Sequence, residues 1–137
     1  MVDQSFSAIP IETPLSLARD QLTILNPEHC EEWGECDWQD AHGVIHYTQA
    51  SEDHAPVVVK TIHADNFRGR TISALGIGAA RSRSDVVASV QEFLGDTRLS
   101  CESLTYCGAT LGPGWISIRF DDQGMLREAR FDGYHFT

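Results

Sequence analysis

All four cysteines of this chain fall into two pairs with the same internal spacing. "CEEWGEC" opens at Cys30 and "CESLTYC" at Cys101, and the two stretches stand 71 positions apart. Four cysteines converging on one point would suggest a metal. The same pair met twice suggests one structural unit used twice, and such a repeat has to be recognised before single elements are assigned.

The flanking residues favour the repeat. In "IETPLSLARDQLTILNP", Thr13 is placed to cap a helix with Pro14 at its first position, Leu15, Ala18, Leu22 and Leu25 share one helical face, and Asn26-Pro27 closes the segment. In "GIGAARSRSDVVASVQEFLGD", Ser82 and Asp85 make a capping-box-like start, Val86, Val90, Phe93 and Leu94 form the apolar stripe, and Gly95 supplies the stop. After each cysteine pair comes a glycine at the same offset, Gly43 and Gly114, and a β-rich run, "HGVIHYTQ" or "PGWISIRF". A turn and a further strand candidate follow, "APVVVKTIHADNF" in the first half and "GMLREARFDGYHF" in the second. Alternation in "WISIRF" and "MLREARF" predicts a sheet covered on one side. The expected architecture is α+β: one domain over residues 1–137, made of two tandem units (about 8–67 and 70–137). Each unit has one amphipathic helix and about three antiparallel strands, and "RTISAL" is the strand leading into the second unit. With 42% hydrophobic residues the chain can bury a core without disulfide or metal support.

The stretch "ISALGIGAARSRSDVVASVQEFLGD" followed by "WISIRFDDQGMLREARF" resembles the short outer-membrane assembly lipoproteins of the SmpA/OmlA type. Doubled, the arrangement is similar to the β-lactamase-inhibitor protein. The resemblance implies one continuous curved sheet with helices on one face, no catalytic apparatus, and a sheet face and loops offered to another protein. Fold alone does not fix function.

Charge is unevenly spread. Residues 1–66 carry twelve acids against two bases, whereas residues 67–137 carry eight acids against eight arginines, so the net charge of −10 resides in the first half. Nucleic acid and anionic lipid would be repelled, and a basic protein surface attracted. The densest segment, "EHCEEWGECDWQD", holds Glu28, Glu31, Glu32, Glu35, Asp37 and Asp40 with Trp33 and Trp38 among them and no base. Indoles ringed by steering charge are the composition of an interface anchor, and these eight residues are the candidate partner-binding site. The plainer alternative places Trp38 at the start of a strand, in the core, with the acids on a solvated face.

Other chemistries fit less well. Cys30, Cys36, His42 and His46 occur in order, but the spacing lacks the close cysteine pairs of zinc sites, and no metal or other cofactor is expected. The cysteines read as structural equivalents, either reduced in the cytosol or bridged locally (Cys30 to Cys36, Cys101 to Cys107) if the protein is exported. "GIG" at Gly76–Gly78 meets Arg81 where a dinucleotide fingerprint wants glycine. There is no G-x-S-x-G and no H-E-x-x-H, Asp121-Asp122 reads as hairpin-turn chemistry, and no enzymatic activity is expected. The N-terminus lacks a basic patch followed by an apolar core, so the expected compartment is the cytoplasm, or the periplasm if a leader has been removed. The functional expectation is an acidic inhibitor, an immunity protein that neutralises a cognate bacterial toxin by occluding its basic active site. An envelope-assembly module and a small zinc-binding protein are the alternatives.

Overall fold

The computed structural model describes residues 9–67, 71–72, 75–112 and 114–133. The chain runs through a one-turn helix α1 (Leu15–Ala18), a 3-10 turn (Arg19–Gln21), β1 (Thr23–Ile24), α2 (Pro27–Trp33), β2 (Cys36–Gln39), β3 (Ile45–Thr48) and β4 (Val57–His63). A second 3-10 turn (Ala64–Phe67) leads on towards α3 (Arg83–Leu94), β5 (Ser100–Ser103), β6 (Tyr106–Leu111), β7 (Gly114–Phe120) and β8 (Leu126–Asp132). The fold is α+β, with one open antiparallel sheet of eight strands in the order β1-β2-β3-β4-β8-β7-β6-β5. Two four-stranded meanders therefore meet at the β4–β8 pair.

The second half forms largely as its pattern predicts. α3 starts after Ser82, whose Oγ donates to Asp85 Oδ2 at 2.6 Å, and it ends at Gly95 with φ +65°. Val86, Val90 and Leu94 are buried in one cluster with Ile116, Ile118 and Phe120 of β7. Each such side chain contributes about 1.5–3 kcal/mol by leaving water. The β7–β8 hairpin turns on Asp121, whose Oδ1 accepts from the amides of Gln123 and Met125, with Gly124 at φ +79°.

The first half departs from its pattern. Only Leu15–Ala18 of the expected 13–25 helix is α-helical, because Leu22 is already extended (φ −124°, ψ 146°) and Ile24 pairs with Trp38 in the sheet. Thr13 does not cap this turn: Pro14 is its N-cap, and the Thr13 hydroxyl donates to Pro10 O. Asn26-Pro27, expected to end a helix, begins one. Proline suits either boundary, and here it occupies the first position of α2 while Asn26 ties the entry by accepting from the Asp37 amide at 2.9 Å. Of "RTISAL", the described residues show an isolated bridge, Ile72 to Ile77, and no strand. The sheet has eight strands rather than about six: β1, β2, β5 and β6 add to the four supplied by the β-rich runs.

Register separates the sheet into two faces. Cys36 and Trp38 of β2, His46 of β3, Lys60 and Ile62 of β4, Ala129 and Phe131 of β8, Ile116 and Ile118 of β7, and Cys107 and Ala109 of β6 align on one face. All of these are buried, and the buried residues of α1 and α3 pack with them or with Val57. Among the described residues no helix packs on the other face. Its edges are blunt: β1 supplies two residues, and β5 shifts register between Ser100 and Ser103.

Candidate functional site

The acidic stretch is not one loop. Residues 27–33 form α2, whose Cys30 is disulfide-bonded to Cys36 at the start of β2, a link that fastens a seven-residue helix to the sheet. Glu28, Glu31, Glu32 and Trp33 lie exposed on this helix, with Trp33 at 66% exposure and its ring 6.4 Å from that of His29. Beyond Gly34 (φ +73°) the strand alternates: Cys36 and Trp38 point into the core, while Glu35 and Asp37 line a cleft on the open face. The second disulfide, Cys101 to Cys107, ties β5 to β6. Both pairs are thus bridged locally, and their sulfurs are not thiolate ligands.

Trp38 and Asp40 turn their side chains into the fold. Trp38 is 5% exposed, its indole N–H donates to Thr48 Oγ1 at 3.1 Å, and the Arg19 guanidinium lies 5.4 Å from its ring centre. This corrects its assignment as an anchor: it faces the same side as Cys36, so strand pairing turns it inward. Asp40 is 7% exposed at its side chain and accepts from the amides of His42 and Val44 through Oδ1, folding the β2–β3 turn. Its Oδ2 meets His46 Nε2 at 2.9 Å, and His46 Nδ1 in turn meets Lys60 Nζ at 3.2 Å. His46 and Lys60 are both 0% exposed. The arrangement that satisfies all three groups is a neutral imidazole accepting from the Lys60 ammonium and donating to the Asp40 carboxylate. Burial lowers the proton affinity of His46, opposed by its bond to Asp40 and reinforced by the Lys60 charge. Burial pushes Asp40 up, but the hydrogen bonds from His46 and the two amides outweigh it and hold the carboxyl below its ordinary value. Spacing gave no warning of this chain; the one signal was a lysine inside "VVVKTI".

The open face has a transverse row fixed by register. Asp37 lies opposite Tyr47, Tyr47 opposite Val59, Val59 opposite Asp132, and Asp132 opposite Trp115. A bulge between Tyr47 and Thr48 on one strand and Val57 to Val59 on the other gives β4 an extra residue, and Val58 joins Val59 in lining the cleft of about 680 Å³. Tyr47 OH donates to Glu35 Oε2 at 3.4 Å. Burial and then the Glu35 charge raise the Tyr47 pKa. At the far end of the row Trp115 lies across Gly108, where a Cβ would collide with its ring, and its N–H donates to Tyr106 OH at 2.8 Å. Sequence reasoning missed Tyr47, Val59, Asp132 and Trp115 as a group. Alternation placed each on one face, but only strand order shows that they share it.

Arg81 donates to the carbonyls of Gly78 and Phe67. Among the described residues no helix is long and apolar enough to cross a membrane. Comparison with known proteins finds no family model, no curated protein and no solved structure that matches this chain.

Proposed function

We propose that this chain is a stoichiometric protein-binding inhibitor of a basic partner, in its most concrete form an immunity protein that occludes the active site of a cognate toxin. The observation that carries the reading is the open sheet face with carboxylates along one side, bordered by a helix that exposes Glu28, Glu31, Glu32 and Trp33. A large indole left 66% in water beside steering charge is the composition of an interface hot spot. In this reading the two meanders are duplicated units, each preceded by a helix: Cys36 and Cys107 stand on the matching strands β2 and β6, whereas Cys30 lies on α2 and Cys101 on β5. Two local disulfides favour an oxidising compartment over the cytoplasm. The same disulfides support an envelope-assembly role as the second reading.

The test is co-expression with the polypeptide encoded beside this chain. The expected result is a one-to-one complex that relieves toxicity, with Trp33→Ala speeding dissociation by roughly tenfold or more. A neighbour that is harmless, or a complex indifferent to Trp33→Ala, would overturn the reading.

A further inference from the structure

The dimensions of the open-face row say what kind of segment fits it. Strands lie about 4.8 Å apart, so Asp37 on β2 and Asp132 on β8, three strands away, are separated by about 14 Å. Between them stand Tyr47 and Val59. An extended peptide advances about 3.4 Å per residue and turns residues i, i+2 and i+4 to the same side, which puts i and i+4 about 14 Å apart. The row therefore has the period of an extended chain laid across the strands, and reads acid, apolar, acid.

We propose that this face docks an extended segment of the basic partner with the pattern basic-x-apolar-x-basic, a deepening that rests on the reading of the chain as an inhibitor of a basic protein. The first cation meets Asp37 and Glu35. The central apolar side chain packs on the half-buried ring of Tyr47, where Val58 and Val59, themselves buried, form the floor of the cleft. The second cation meets Asp132. Arg130, 3.7 Å from Asp132, offsets one of the three carboxylates and leaves the cleft two in excess. Burial raises Asp37 above its ordinary pKa; the pull of His29 opposes it, and the Glu35 charge adds a smaller push, so an incoming cation would relieve the carboxylate.

The full chain, labelled with ¹⁵N, is titrated with the peptide acetyl-Arg-Ser-Leu-Ser-Arg-amide, with acetyl-Arg-Arg-Leu-Ser-Ser-amide of the same composition, and with the first peptide carrying citrulline for arginine. The expected result is saturable shifts at the amides of Tyr47, Val59 and Thr61 with the first peptide and none with citrulline. Affinity should fall by roughly threefold to tenfold for the reordered peptide and for Asp37→Asn or Asp132→Asn. Asp37 also bonds Asn26, so Asp132→Asn keeps the test valid if Asp37→Asn misfolds. Equal affinity for the two arginine peptides, shifts centred on Glu31 and Glu32, or concentration-dependent shifts of Tyr47 without peptide would each overturn the proposal. Peptide binding at the row with no complex from the neighbouring gene would overturn the functional reading alone. The converse result would overturn the docking mode alone.

Discussion

At the residue scale the most demanding feature is Lys60, a side chain with 0% exposure among valines and isoleucine. Its Nζ meets His46, which in turn meets the Asp40 carboxylate, and this buried chain makes the fold sensitive to acid. His46 binds a proton less readily folded than unfolded, so below about pH 6.5 the unfolded chain takes up more protons. Its contribution to stability is thus complete above that pH and is lost as pH falls through the window towards the lowered folded value. Asp40, also lowered, adds a second loss at more acid pH, below the ordinary carboxylate value of 3.8. Urea midpoints should therefore drop between pH 8 and pH 5, and His46→Gln should flatten that slope even if it lowers the midpoint at pH 8. An unchanged slope in His46→Gln would show that this buried chain is not the source.

Among the elements, α2 depends on its attachments, since a helix of seven residues is marginal in water. It keeps its place through the Cys30 to Cys36 bridge and the Asn26 contacts with β2. Closing a loop of this size removes about 2 kcal/mol of unfolded-state entropy. Replacing both cysteines by alanine should lower unfolding free energy by about that amount and speed amide exchange across residues 28–33 while leaving β6 to β8 protected. Uniform exchange across the molecule would contradict a local role. This element also shows where the sequence was legible. α3 was readable because Ser82, Asp85 and Gly95 mark both ends and the apolar stripe agrees with them. The first half was not, because Pro27 signals a helix start as well as a stop, and the apolar period of Leu15 to Leu25 outlasts the single helical turn. Trp33 and Trp38 differ in fate through a helix-to-strand change at Gly34 that composition does not record. Asp40 was grouped with five other acids by proximity in sequence, whereas its partners His46 and Lys60 lie across two strand pairings.

For the whole molecule, what matters is the contrast between two faces of one sheet. One carries the core; the other carries half-exposed polar and aromatic side chains and the cleft. The acidic excess of residues 1–66 is concentrated on one side of the β4–β8 seam, where α2 and β2 lie, and this directs a cationic partner to that side. Association with the partner should slow by about tenfold when Glu31 and Glu32 are both changed to lysine, and added salt should slow the original chain but scarcely the variant. Stopped-flow rates at two ionic strengths decide the point; equal salt dependence would show that capture is steered from elsewhere. The open face and its polarity were readable from alternation in each strand, but the order in which strands assemble was not, because it depends on contacts between residues far apart in the chain.

A border of two residues on one flank and a kinked strand on the other give a neighbouring sheet no straight ladder to continue. Crowded copies of this protein would find no flank along which to lengthen into ribbons.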